Sequence, residues 1–386
     1  MRPFKLKPSW LLMNVVVFGT AAVLVYLHTK RLRENAPRSH IAPPLAASAT
    51  QTTSAPVTAP VVPVDPILTD ACDALRKASD SQTIRQQLAE LRQKLEAMPT
   101  KDAVRAIRQF LDSKADASIG LGFKLASNGM LDEAPTLRTF LLDELGRINP
   151  AAAADYAKVV LASMDSPDEW AVALRDLALG DSSADGLALL NQKTAQMLQY
   201  APWQQNPSAG FLEAFDVPVY LGGTNFVPTL TDLVRSQDNP AVAHAAFLAL
   251  DRLVINNPAS VLESLEDDPD SMEGRESTRA DYFARADAGD LRQRQLLENY
   301  LLDPAISPAE LQTFAAIFPN ANYMISPNLL TQANTPDHAT LANRDAQALA
   351  VAQQWLNDPA FANVAPELQT ITQRLQGFAA QAKRGP

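Results

Sequence analysis

Cysteine occurs once in this chain, at Cys72, and only 14 glycines and 6% aromatic residues are spread over 386 positions. A lone cysteine makes no intrachain disulfide and cannot build a thiolate zinc cage. Scarce glycine disfavours nucleotide-binding α/β folds and β-rich folds, both of which need it at tight turns. Few aromatics argue against a carbohydrate binder or a stacking platform for single-stranded nucleic acid. No Asn-x-Ser/Thr acceptor with a non-proline middle residue is present, which favours a bacterial envelope protein over a glycosylated eukaryotic one. Phosphate-cradling Gly-x-Gly-x-x-Gly and Gly-x4-Gly-Lys-Ser/Thr motifs are missing, as is the Gly-x-Ser-x-Gly nucleophile elbow. Basic charge is scarce beyond the first 41 residues: the remainder carries a net −16, so nucleic acid is not an expected partner.

One long apolar run stands against these absences. Residues 10–27 read WLLMNVVVFGTAAVLVYL without a charge. Eighteen helical residues at 1.5 Å each span about 27 Å, close to a bilayer core. Trp10, Leu11, Leu12, Val15, Val16, Val17, Phe18, Val23, Leu24, Val25, Tyr26 and Leu27 are the expected anchoring side chains. Trp10 and Tyr26 stand at the ends, where amphipathic rings favour the interface. The run leads straight into Lys30, Arg31 and Arg33, and the small-x-small triplet Ala47-Ser48-Ala49 lies too far downstream for ordinary cleavage. An uncleaved transmembrane signal anchor is therefore expected over 10–28, behind a short basic tail at 1–9. Basic residues flank both ends, so charge bias does not orient it. The short tail and the linker that follows point to a bacterial inner-membrane protein with its domain in the periplasm.

Residues 29–66 begin with that basic flank and continue as APPLAASATQTTSAPVTAPVVPVDP from position 42. Such a Pro/Ala/Thr-rich composition cannot build a core and predicts a flexible spacer. From 67 to 380 the pattern turns helical, with 381–386 left as a tail. Ile84, Leu88, Leu91, Leu95 and Met98 recur at steps of four and three, the stripe of one helix packing on another. Six pairs of capping residue and proline mark helix starts: Asn149-Pro150, Ser166-Pro167, Asn239-Pro240, Asn257-Pro258, Ser307-Pro308 and Asp358-Pro359. Ser166 with Glu169 and Ser307 with Glu310 have capping-box spacing. Gly180 is expected to end the helix that starts at Pro167, in a left-handed turn.

Starts at Pro150 and Pro167, and again at Pro240 and Pro258, leave room for one helix and a tight turn each, so two make a hairpin. With the small and large apolar face Val242, Ala245, Ala246, Leu248, Leu250 and Leu253, the stretch 229–267 resembles HEAT-like helical repeats. The expected fold class is all-α: antiparallel helical hairpins, α-solenoid-like, behind one transmembrane helix.

Two stretches break the pattern. Residues 199–226 gather Trp203, Phe211, Phe215, Tyr220 and Phe226 among prolines and Gly222-Gly223, and 318–336 read FPNANYMISPNLLTQANTP. Long irregular segments inside a helical domain are functional loops or packing wraps. The first also divides the domain into two candidate halves.

Chemistry is thinly represented. His244 sits in an apolar helical face, AVAHAAFLAL, and reads as a packed neutral histidine, whereas His338 reads as a solvated residue near a helix start. Glu266, Asp267, Asp268, Asp270 and Glu273 cluster without the glycine or the spacing of a calcium loop. No metal and no cofactor are expected. Glu263-Ser264 and Glu276-Ser277 carry the Glu-Ser dipeptide of lytic transglycosylases, which that resemblance would make a general acid, but the Gly-Leu-Met-Gln type segment of that family is absent. The leading expectation is a membrane-anchored scaffold or adaptor binding protein partners, with Trp203, Phe211, Phe215 and Tyr220 contributing the contact surface. A helical envelope enzyme acting on cell-wall glycan is the alternative.

Overall fold

A short polar side chain followed by proline satisfies one free amide and dispenses with another, which makes it a strong helix start. The structure, a computed structural model, describes residues 65–382 except 237 and 333–334. All six cap–proline pairs open helical segments there. The elements are α1 (Pro66–Lys77), α2 (Ser81–Ala97), α3 (Thr100–Asp112), strands β1 (Lys124–Leu125) and β2 (Leu131–Glu133), α4 (Leu137–Ile148), α5 (Pro150–Val160), α6 (Pro167–Gly180) and α7 (Ala184–Leu198). Three short helices follow: α8 (Ala201–Gln205), α9 (Ala209–Glu213) and α10 (Asp216–Leu221). Then come α11 (Val227–Arg235), α12 (Pro240–Asn256), α13 (Pro258–Asp267), α14 (Glu276–Phe283), α15 (Leu291–Leu302), α16 (Pro308–Ile317), α17 (His338–Leu356) and α18 (Ala365–Ala382), with 3-10 turns at Thr224–Phe226, Pro269–Met272 and Pro359–Val364. The two strands form an antiparallel hairpin in which Lys124 faces Glu133 and Leu125 faces Leu131.

Many helices pack on a neighbour in sequence, as α5 does on α6, α11 on α12 and α17 on α18, and several on the next but one, as α4 does on α6, α14 on α16 and α16 on α18. The α2 stripe of Ile84, Leu88, Leu91 and Leu95 is buried and belongs to the same continuous core as the rest of the domain. Burying each such side chain is worth roughly 1.5–3 kcal/mol.

Arginine–carboxylate pairs cross-link helices that are next but one, Arg285 reaching back from the turn just after α14. Arg138 holds Glu169, Arg175 holds Asp143, Arg252 holds Asp216, Arg285 holds Asp251 and Arg279 holds Glu310, at chain separations of 31, 32, 36, 34 and 31 residues. Buried pairs of this kind add little net stability but penalise any other register, because a slipped helix would strand a charge in the core.

Three details differ from the expectation. Ser166 and Ser307 do cap their helices, accepting from the amides of Glu169 and Glu310. The two glutamates do not fold back to complete the boxes. Their carboxylates take buried guanidiniums instead, two bonds each, and Glu310 also accepts from the Tyr300 hydroxyl. Gly180 lies within α6, without a left-handed turn. A Cβ there would stand 2.1 Å from the Pro150 carbonyl oxygen, so glycine is what lets α6 approach the start of α5.

The membrane reading requires correction. Among the described residues no helix is long and apolar enough to cross a membrane. The longest, α17, carries Arg344 and Asp345 near its middle. The run 10–28, its side chains Trp10 to Leu27 and the linker up to residue 64 lie outside the described residues. The transmembrane helix, the inner-membrane partner and the periplasmic placement therefore have no structural support and are set aside.

Candidate functional site

Side chains of recognition chemistry concentrate in the aromatic segment 199–226. Trp203 on α8 meets Trp170 of α6 edge to face at 5.4 Å and Tyr200 at 5.1 Å. Phe211 on α9 lies 6.2 Å from Trp203 and 5.4 Å from Phe215. This chain of perpendicular rings follows from the quadrupole of each ring, which favours edge-to-face contact. Trp203, Phe211 and Phe215 are consequently buried, at 7%, 0% and 1% exposure. The four expected contact residues do not share one exposed patch: three are core, and Tyr220 alone reaches the surface, 39% exposed.

Tyr220 lies on α10 with its hydroxyl donating to the Ala178 carbonyl at 3.3 Å. Beside it is a shallow depression of about 690 Å³ lined by Leu187, Ala188, Asn191, Gln192, Tyr220 and Leu221. Asn191 is oriented by Asn225, whose Nδ2 donates to the Asn191 Oδ1 at 3.1 Å. That bond leaves the Asn191 amide nitrogen available as a donor. None of the lining side chains carries a charge.

The Glu-Ser dipeptides lack the setting that acid catalysis needs. Glu263 is on the surface, paired with Arg292, and Glu276 is an exposed helix-start residue that accepts from the Gly274 amide. His244 is exposed and stacks on Phe247 at 6.1 Å rather than being packed within the face, while partial burial still holds its pKa below the ordinary value. Cys72 is buried, and burial raises its thiol pKa. Among the described residues no group of three or more His, Cys, Asp or Glu side chains is arranged to hold a metal.

A fully buried cluster of charges joins α4 to α6 and was not expected from the sequence. Arg175, fully buried, donates to Asp143 at 2.5 Å, to Asp176 at 2.8 Å and to the Gly129 carbonyl at 3.1 Å. Burial outweighs the arginine and pushes the Asp176 carboxyl up to about 6. Glu144, equally buried, accepts from Arg92 at 2.7 Å, and its other oxygen has no partner among the described residues. Burial raises its pKa against the pull of Arg92. These groups tie the β-hairpin down: Asp143 also accepts from the Leu131 amide at 2.9 Å, and Arg147 donates to the Leu131 carbonyl at 3.0 Å. The available signal was the pair Arg175-Asp176 inside the apolar run WAVALRDLAL, where a solvated charge has no place.

In comparison with known proteins, no family model, no curated protein and no solved structure matches the chain. The resemblance to HEAT-like repeat proteins therefore gains no support beyond an all-helical, helix-packed fold. The membrane-anchored scaffold or adaptor, its protein partner and the lytic-transglycosylase-like alternative likewise lose their ground, since neither a membrane-crossing helix nor a relative speaks for them.

Proposed function

We propose that the domain binds a small neutral ligand in the depression beside Tyr220. The observation that carries this reading is the uncharged lining, two leucines, a tyrosine ring and two primary amides, on a chain whose residues 42–386 carry a net −16. A charged ligand entering this depression would lose hydration with no opposite charge to offset it, whereas a neutral one needs only apolar contact and a few hydrogen bonds. Leu187, Leu221 and the Tyr220 ring supply the contact, and Asn191 and Gln192 supply donors and acceptors.

A panel of neutral N-acetyl amino-acid amides, followed by NMR of the full chain, tests this. Shifts should centre on Leu187, Asn191 and Tyr220, and Tyr220→Ala or Leu187→Asp should abolish them while Tm stays within about 1 °C, as surface substitutions normally allow. No shifts with any member of the panel, or shifts that persist in both variants, would refute the reading.

A further inference from the structure

The extended segment after α16 is held differently from every helix around it. Its start is fixed by Asn320, whose amide donates to the Ala284 carbonyl at 2.7 Å. Near its end the Asp216 carboxylate accepts from two successive amides, Leu330 at 2.6 Å and Thr331 at 2.7 Å, and from the Thr331 hydroxyl at 2.5 Å. One buried carboxylate thus reads the main chain of an extended peptide more than a hundred residues away. The turn of the β-hairpin abuts the same place: a Cβ on Gly129, whose φ is +78°, would stand 2.5 Å from the Leu329 carbonyl oxygen.

Between these anchor points little apolar surface is buried. Of residues 321–332 only Asn328 and Leu329 are buried, while Met324 and Ile325 are exposed at 49% and 72%. Tyr323 adds a hydrogen bond from Arg344 at 2.9 Å. A segment with so little apolar burial opens before the core does, because its ordering is opposed by chain entropy and favoured mainly by a few polar bonds. Opening would not strand Asp216 either, since Arg252 pairs with it from α12 at 2.8 Å.

We propose that residues 321–332 are a displaceable strap: an intrachain ligand whose release frees the Asp216–Arg252 place for the main chain of another extended peptide.

Hydrogen exchange on the full chain tests displacement. The Leu330 and Thr331 amides should exchange at least about 100-fold faster than that of Leu253 in mid-α12, by local opening. Exchange of all three at one common rate would overturn the proposal. Thr331→Val, milder than any change at Asp216, should speed strap exchange roughly 5- to 10-fold and leave Leu253 unchanged, the effect of one lost hydrogen bond. Rates that rise together would mean the strap is part of the core. A fluorescein-labelled heptapeptide of residues 326–332 should bind the Thr331→Val chain more tightly than the unaltered chain, because the competing strap is weakened. Equal binding to both, or none to either, would refute the shared site.

Discussion

Residues 199–226 and 319–332 look alike as interruptions of a helical pattern, yet the folded chain treats them in opposite ways. The first coils into three short helices and drives Trp203, Phe211, Phe215 and Phe226 into the core. The second stays extended, buries Leu329 as its one fully enclosed apolar side chain, and is held through Asn320, Leu330 and Thr331. Side-chain chemistry makes the difference. Rings remove much surface from water and find edge-to-face partners, so they pull their backbone inward. The second segment leaves Met324 and Ile325 in solvent, and its extended polar backbone must find partners one at a time.

That contrast can be broken by substitution, beginning where the effect is greatest. Phe211→Ala removes a fully buried ring between Trp203 and Phe215 and should lower stability by about 3–5 kcal/mol in denaturant titration. A loss below about 1 kcal/mol would mean that the aromatic segment is not core after all. Asp176, bonded to the Arg175 that also holds the hairpin's Gly129 carbonyl, sharpens the polar side. Its carboxyl is held at about 6, above the ordinary 3.8, so the folded chain binds that proton more tightly than the unfolded chain. Its contribution to stability is therefore full below about pH 4 and is lost as pH rises through about 6, a change on the order of 3 kcal/mol. Titrating stability against pH for the unaltered chain and for Asp176→Asn should show profiles that diverge by this amount between pH 4 and 7. Parallel profiles would contradict it. The smallest effect belongs to the strap's exposed middle: Ile325→Ser should change stability by less than about 0.5 kcal/mol, because no buried contact is lost. A clear fall in Tm would show that Ile325 packs where the structure leaves it open.

Much of the helical framework was legible from residue order. Asn149, Ser166, Asn239, Asn257, Ser307 and Asp358 each precede a helix because proline can follow a cap without losing a bond. The α2 stripe followed from spacing alone, since residues three and four apart share a helix face. The contact surface was poorly legible. Aromatic clustering could not separate Tyr220, on the rim of a depression, from Trp203, Phe211 and Phe215 inside, because burial depends on what other helices bring to each face. Glu169 and Glu310 misled in an instructive way. Box spacing is local, but Arg138 and Arg279, 31 residues distant in both cases, offered charged partners at shorter range in space than in sequence.

The sequence by itself determined that residues 67–380 are mainly helical and where many of the helices start, because caps, proline and apolar period act within a few residues of one another. Only the tertiary structure decided which charges are buried, which aromatic ring reaches the surface and which irregular segment becomes core or strap. Those outcomes depend on partners such as Asp143 and Arg175, or Asp216 and Thr331, that meet only when the helices stack. A desolvated charge or an exposed ring is a property of that meeting, and no window along the chain contains both sides of it.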